Sequence, residues 1–339
     1  MALNTKYPRQ IALAPLREAI EDYLRCADAD IRARVMVNSE MSSQIFDPLA
    51  TSTEVFQILT SQRFGYLGRR KSEPYRAMVE SKLAAQVSRG EPLRFYFDLG
   101  PGYHAGIYSH DCSLNFEASL SELLVLRQMI LFANEVRTVY PPGIHFFVVI
   151  DNLCGRYTND IPLENSMRYV GDFRRLIQEM GADDLVSLLV ESEYFSCEQY
   201  ECILDTIDKD QPMEIVSDAM VDNVSRFLGR KCSRKEAGIR IERYRRTAQT
   251  TEILLADKID GVRLTQRATP TTLGFRPFPG GDQRTQAGSL AFTRKSNGKL
   301  RPLLITTQNS EQYDLLELSA FDSLPKSVRS VLYADPLDQ

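Results

Sequence analysis

Three short apolar runs in this chain each end on a carboxylate. They are Phe95-Tyr96-Phe97 before Asp98, Phe146-Phe147-Val148-Val149-Ile150 before Asp151, and Leu185-Val186-Ser187-Leu188-Leu189-Val190 before Glu191. Short continuous runs of aromatic and branched residues suit strands buried on both faces. Amphipathic segments separate the runs, so the pattern reads strand, helix, strand, helix, strand, the pattern of a parallel sheet covered by helices. In open sheets of this kind ligands bind beyond the carboxyl ends of the strands. Asp98, Asp151 and Glu191 are therefore expected along one rim. A single acid at a strand end often marks no more than the point where the chain meets water; three in succession favour a site.

Outward from these strands, the connecting segments carry helical stripes. Leu123, Leu126, Ile130 and Ala133 recur at spacings of three and four behind a capping-box pattern at Ser119 and Glu122. Tyr140-Pro141-Pro142-Gly143 is a turn that launches the second strand. Val170, Phe173, Ile177 and Met180 form the next stripe, with Gly181 as its stop signal. These stripes are core faces.

Upstream, Leu16, Ile20, Tyr23 and Leu24 share one helical face, a second helix runs from Glu54 to Leu59, and a third from Tyr75 to Val87 stops near Gly90 and Pro92. Residues 197–258 are mostly helical. Beyond them Gly261 to Arg267 alternates with period two, 275–288 is a loop rich in Gly, Pro and Gln, and Asn297-Gly298 is a hairpin turn between two strand-like runs. The organisation expected is a helical N-terminal cap over 1–90, an α/β core over 91–275 with a mainly parallel Rossmann-like sheet flanked by helices, and a β-rich C-terminal segment over 276–339.

Composition narrows the function classes. The net charge of −4 over 339 residues argues against a general nucleic-acid binder. No apolar run is long enough to span a membrane, and the start Met1-Ala2-Leu3-Asn4-Thr5-Lys6 lacks the apolar core of a signal peptide, so a cytoplasmic protein is expected. The six cysteines include no Cys-x-x-Cys pair and read as free thiols. Three histidines, at 104, 110 and 145, argue against a His-based triad or a rich metal site, although His104, His110 and Asp111 share one loop.

Two further features bear on chemistry. Phe95-Tyr96-Phe97-Asp98-Leu99-Gly100-Pro101-Gly102 resembles the first motif of S-adenosylmethionine methyltransferases, where glycine lets the backbone approach a ligand. The basic stretch Lys231, Arg234, Lys235, Arg240, Arg243, Arg245 and Arg246 is mainly a solvated helical face, within which one or two arginines suit a phosphate. Arg263 and Arg267 fall on one face of the strand after it, with Thr265.

Taken together, residues 50–275 resemble the isonitrile synthase family, the group related to the pyoverdine-cluster and yeast spore-wall dityrosine enzymes. The resemblance rests on the Tyr140-Pro141-Pro142-Gly143 turn, the strand ending at Asp151, the pair Tyr157 and Asp160, the segment Val190-Glu191-Ser192-Glu193-Tyr194-Phe195, and Arg245-Arg246 leading into Val262 to Arg267. It implies an enzyme that joins an amino acid's α-nitrogen to one carbon of ribulose 5-phosphate, without metal or organic cofactor. An iron/2-oxoglutarate oxygenase would act downstream. The acids Asp98, Asp151, Asp160 and Glu191 would move protons, while Arg246, Arg263, Thr265, Arg267 and His104 would hold the substrates. The alternatives are a methyltransferase using the Asp98–Gly102 turn and a non-catalytic relative serving as a binding or scaffold subunit.

Overall fold

The computed structural model describes residues 14–33, 46–65, 68–99, 118, 120–159, 161–207, 216–228, 231–265, 272–276, 290–294, 300–304, 314–317 and 330–334. The chain opens with helices α1 (Ala14–Arg32), α2 (Pro48–Leu59) and α3 (Arg76–Val87). Asp47 starts α2 by accepting hydrogen bonds from the Leu49 and Ala50 amides at 2.9 and 3.3 Å, and Pro48 fills the first turn, where its missing N–H leaves nothing unpaired. Strand β1 (Leu93–Asp98) follows, with the Gln86 side chain of α3 accepting from the Arg94 amide at 2.6 Å.

Next come α4 (Leu120–Val139), β2 (Ile144–Ile150), α5 (Asn152–Asn159), α6 (Leu163–Glu179) and β3 (Val186–Val190). All four residues of the α4 stripe are buried, as are Val170, Phe173 and Ile177 on α6 and Met180 just past its end. Gly181 takes φ 59°, and the Ala182 amide reaches back to the Ile177 carbonyl at 2.8 Å, so α6 ends as its sequence forecast. The Tyr140–Gly143 turn does two jobs. Gly143 adopts φ 74° and its carbonyl accepts from the Leu93 amide at 2.9 Å, while the Tyr140 hydroxyl donates to the Glu91 carbonyl at 2.7 Å. The turn that launches β2 thus also holds the start of β1.

After a single helical turn at Glu191–Tyr194 the chain forms α7 (Cys197–Thr206), α8 (Asp218–Leu228) and α9 (Arg234–Leu255), then strands β4 (Val262–Thr265) and β5 (Leu273–Gly274). The five strands form one all-parallel sheet in the order β3-β2-β1-β4-β5. The central pairing is Phe95↔Phe146 and Tyr96↔Phe147, with Phe146↔Val186 beyond. Strands β6 (Leu290–Arg294), β7 (Leu300–Leu304), β8 (Asp314–Glu317) and β9 (Ser330–Ala334) make a second sheet in the order β7-β6-β9-β8. Strands β6 and β7 are antiparallel partners, the hairpin the sequence expected, while its Asn297-Gly298 tip lies outside the described residues.

The two faces of the parallel sheet are covered unequally. Leu93, Phe95 and Phe97 of β1 and Phe146 of β2 join Phe64, Phe132 and Phe275 in one aromatic core, which also takes in Ile20, Leu24, Val55 and Phe56 of α1 and α2. The N-terminal helices share this core with the sheet. On the other face a much smaller apolar cluster of Tyr96, Val149, Leu189 and Leu255 leaves room for polar chemistry. No described helix is long and apolar enough to cross a membrane.

Gly261 is the joint on which the sheet's second half depends. A Cβ there would collide with the Arg94 carbonyl oxygen, because β4 approaches β1 backbone to backbone. Gly261→Ala is therefore expected to lower stability by about 2 kcal/mol, the scale of overpacking a tight site. Urea unfolding followed by circular dichroism measures this, and an unchanged midpoint would remove the close approach from the account.

Candidate functional site at the carboxyl edge of the parallel sheet

The strand order reverses between β1 and β4, and in open parallel sheets the ligand crevice lies outside such a reversal. Here the crevice is spanned by an ion pair. Tyr96 of β1 pairs with Arg263 of β4, so the arginine shares a face with Tyr96 and with Asp98 two residues on. Its Nε lies 3.0 and 3.2 Å from the two Asp98 carboxylate oxygens, and its Nη1 lies 3.8 Å from Glu252 on α9. The two side chains are 25% and 28% exposed, so solvent reaches the pair and a ligand can too. Burial raises the Asp98 carboxyl to about 6; Arg263 opposes the rise, while Asp151 and Glu252 add to it.

The neighbouring strand ends behave differently. Asp151 follows β2 and is half-buried. Glu191 follows β3 and is 0% exposed. Its Oε2 accepts the backbone N–H groups of Leu153 and Cys154 at 2.9 and 3.0 Å, in the first turn of α5. Its Oε1 accepts from the Thr251 hydroxyl of α9 at 2.5 Å. A helix start leaves amides unpaired and carries partial positive charge, so a carboxylate there is held by hydrogen bonds and by the helix dipole together. Glu191 thus sits beneath the rim that Asp98 and Asp151 form. Burial, and next the charge of Asp151, still raise its carboxyl to about 7 against the three hydrogen bonds.

Around Glu191 the buried polar groups continue into α5, α7 and α9. The Tyr200 hydroxyl donates to the Thr247 carbonyl at 2.8 Å and lies 3.3 Å from the Thr251 hydroxyl. Thr247 and Thr158 share a hydrogen bond of 2.5 Å, and the Cys154 sulfur lies 3.6 Å from Thr158. Burial drives the Cys154 thiol up to about 12, so it stays neutral. Tyr244, one turn before Thr247, is by contrast 60% exposed; desolvation of its hydroxyl end and then Cys154, Asp151, Asp98 and Glu252 raise its hydroxyl, which places that end near the cluster.

Of the residues named from sequence, the structure gathers Asp98, Asp151, Glu191 and Arg263 at one edge, with Thr265 at the end of β4 beside Gly274. Arg246 is engaged elsewhere: its Nη2 donates to the Leu204 carbonyl at 2.6 Å, near the end of α7, where helix carbonyls lack intrahelical partners. His104, Asp160 and Arg267 lie outside the described residues, as do Ser119, His110, Asp111 and the Gly100–Gly102 turn. Glu252, Tyr244, Tyr200, Thr247 and Thr251 escaped the sequence reading. The signal available was the spacing Thr247, Thr250, Thr251, small hydroxyls recurring inside an otherwise charged helix, and all three are buried. Among the described residues no group of three His, Cys, Asp or Glu side chains could hold a metal ion.

No protein-family model and no curated protein matches the sequence. Among solved structures, the chain aligns with the PvcA protein from Pseudomonas aeruginosa at a TM-score of 0.59, over 84% of this chain and 99% of that one. The fold is shared with PvcA. Sequence identity is 18%, so PvcA establishes the architecture and no more. The likeness to the isonitrile synthase group that the motifs carried holds at the level of fold. Tryptophanyl-tRNA synthetases from Aeropyrum pernix and Encephalitozoon cuniculi align at TM-scores of only 0.30 and support no argument.

Two expectations follow for Glu191. Glu191→Ala strands two buried amides and a hydroxyl and is expected to cost about 2–4 kcal/mol, whereas Glu191→Gln keeps an oxygen for the amides and is expected to cost much less. The pH dependence has a definite sign. Between the ordinary value of 4.5 and about 7, the folded chain holds a proton that the unfolded chain has released. Wild-type stability therefore falls as pH rises through that window, by about 3 kcal/mol in total. Glu191→Gln lacks this slope, so denaturant titrations at pH 5 and pH 8 should show the variant gaining on wild type at the higher pH.

Proposed function

We propose that this chain is a cytoplasmic biosynthetic enzyme of the isonitrile-synthase type, acting on the α-amino group of an amino acid with a ketose phosphate, such as ribulose 5-phosphate, as carbon donor. The observation that carries this reading is the Asp98–Arg263 pair across the strand-order reversal, with Asp151 beside it and Glu191 beneath. The fold shared with PvcA along nearly the whole of that protein supports the reading, as do the motifs between 50 and 275.

The parts suit the substrates. Among the described residues acids outnumber cations at this edge, so the field attracts an ammonium group. Arg263 uses Nε on Asp98 and leaves Nη2 without a hydrogen-bond partner among the described residues, available to a phosphate oxygen. The opening step joins amine to ketone. The amine nitrogen bonds to the carbonyl carbon while a carboxyl group passes one nitrogen proton to the carbonyl oxygen, giving a carbinolamine; the same group then takes the second nitrogen proton and delivers a proton to the hydroxyl, so that water departs and an imine forms. A carboxyl near 6, such as Asp98, can both accept and donate protons at neutral pH. Carbon–carbon cleavage would follow, and an iron/2-oxoglutarate oxygenase is the class of enzyme expected to consume the product.

The test is direct. The chain is incubated with ribulose 5-phosphate and each amino acid in turn, and products are read by mass spectrometry for an amino acid that has gained one carbon and lost two hydrogens. Calorimetry with ribulose 5-phosphate and with S-adenosylmethionine separates the rivals. Binding of S-adenosylmethionine alone would replace this reading with a methyltransferase, and binding of neither would favour a scaffold role. Arg263→Ala is expected to weaken sugar-phosphate binding by about 1–2 kcal/mol, the solvent-screened value of such a contact. Asp98→Asn is expected to lower kcat more than it raises KM, because it keeps the shape and removes the base.

A further inference from the structure

Among the described residues no cation pairs with the buried Glu191, yet both of its protonation states have a complete set of partners. In the ionised state its Oε2 accepts from the Leu153 and Cys154 amides, and its Oε1 accepts from the Thr251 hydroxyl at 2.5 Å. Adding a proton to Oε1 changes only the direction of the hydrogen bonds beyond it. The Glu191 hydroxyl then donates to the Thr251 oxygen, and the Thr251 hydroxyl turns to the Tyr200 oxygen, 3.3 Å away. Tyr200 can accept because its own proton already goes to the Thr247 carbonyl. Oε2, now the carbonyl oxygen, keeps both backbone donors. No buried donor is stranded in either state, which is the condition a buried carboxyl must meet to change protonation without disrupting its surroundings.

We infer that Glu191, Thr251 and Tyr200 form a reversible proton store beneath the candidate site, in which Glu191 is a positioning residue whose change of charge acts on the neighbouring acid Asp151. The titratable groups facing Glu191 are Asp151 at the end of β2, Cys154 of α5 and Tyr200 of α7; α9 presents Thr251. Cys154 and Tyr200 are both held neutral by burial, so Asp151 is the group among these whose charge acts on Glu191 at ordinary pH. The inference rests on the proposed reaction only for the use made of the proton; the store itself is a property of the unliganded chain.

Its test therefore needs no substrate. The carboxylic-acid carbonyl band of Glu191 is followed by difference infrared spectroscopy of the full-length protein from pH 5 to 9, and is assigned by its loss in Glu191→Gln. Wild type is expected to titrate near neutrality. Thr251→Val removes a donor to the anion, and because charge-assisted hydrogen bonds are about twice as strong as neutral ones, the anion loses more than the acid does. Its midpoint should rise by roughly one pH unit, about tenfold in proton affinity. Thr251→Ser keeps the hydroxyl and should titrate as wild type. Tyr200→Phe removes the acceptor needed only in the protonated state, so its midpoint should fall. Shifts of opposite sign support the store. Shifts of the same sign, no shift, or a wild-type Glu191 ionised throughout the range would overturn it. Should Tyr200→Phe fail to fold, a rise in Thr251→Val with none in Thr251→Ser supports the store, and any other pattern overturns it. Absence of turnover with ribulose 5-phosphate, by contrast, would count against the proposed function and leave the titration result standing.

Discussion

One buried carboxylate organises the carboxyl edge of this protein. Glu191 comes from the end of β3, accepts two amides in the first turn of α5 and takes a hydroxyl hydrogen bond from α9. Three elements distant in sequence therefore meet on the two carboxylate oxygens of one side chain. Placing a charge where no water reaches is costly unless every oxygen is occupied, and that requirement admits one relative placement of strand and helices. The constraint reaches the solvent-facing groups as well. Fixing α9 through Thr251 fixes Glu252, one residue on, within reach of Arg263, and so bears on the pair between Arg263 and Asp98.

The arrangement separates two kinds of acid that look alike in the sequence. Asp98 is partly solvated and paired with a guanidinium across the crevice, where a ligand can compete for the cation. Glu191 is fully buried and hydrogen-bonded to donors that no ligand can displace without opening the fold. Burial raises both carboxyls, and the net values of about 6 and about 7 follow from how far their partners oppose it. Acids poised near neutrality at two depths suit proton transfer in steps, with exchange at the surface and reserve below.

The second half of the sheet depends on a close approach of backbones. Strand β4 enters beside β1 only because Gly261 has no side chain at the contact with Arg94, and the joint is tied by the Tyr96 hydroxyl on Asp260 at 2.7 Å and by Lys82 on the Gly261 carbonyl at 3.0 Å. The polar, thinly covered face of the sheet that results is the face on which Arg263 reaches Asp98. The aromatic core on the opposite face supplies the rigidity, and the N-terminal helices belong to that core.

Much of this was legible in the sequence, for reasons of periodicity and local chemistry. The three apolar runs read as buried strands, the stripes on α4 and α6 read as core faces, and Tyr140 to Gly143 and Gly181 carried the turn and stop that their backbone angles require. The acids at the ends of the strands were visible because a strand end is a position in the sequence. Which strand lies beside which is not such a property. That β4 adds next to β1, bringing Arg263 to Asp98 across 165 residues, follows from long-range pairing and the space left by one glycine. Nor could sequence tell Glu191 from Asp98, or send Arg246 to a carbonyl of α7 instead of the crevice. Burial and hydrogen-bond partners belong to the packed molecule, because they arise where distant segments meet and exclude water, and there the tertiary structure alone decided.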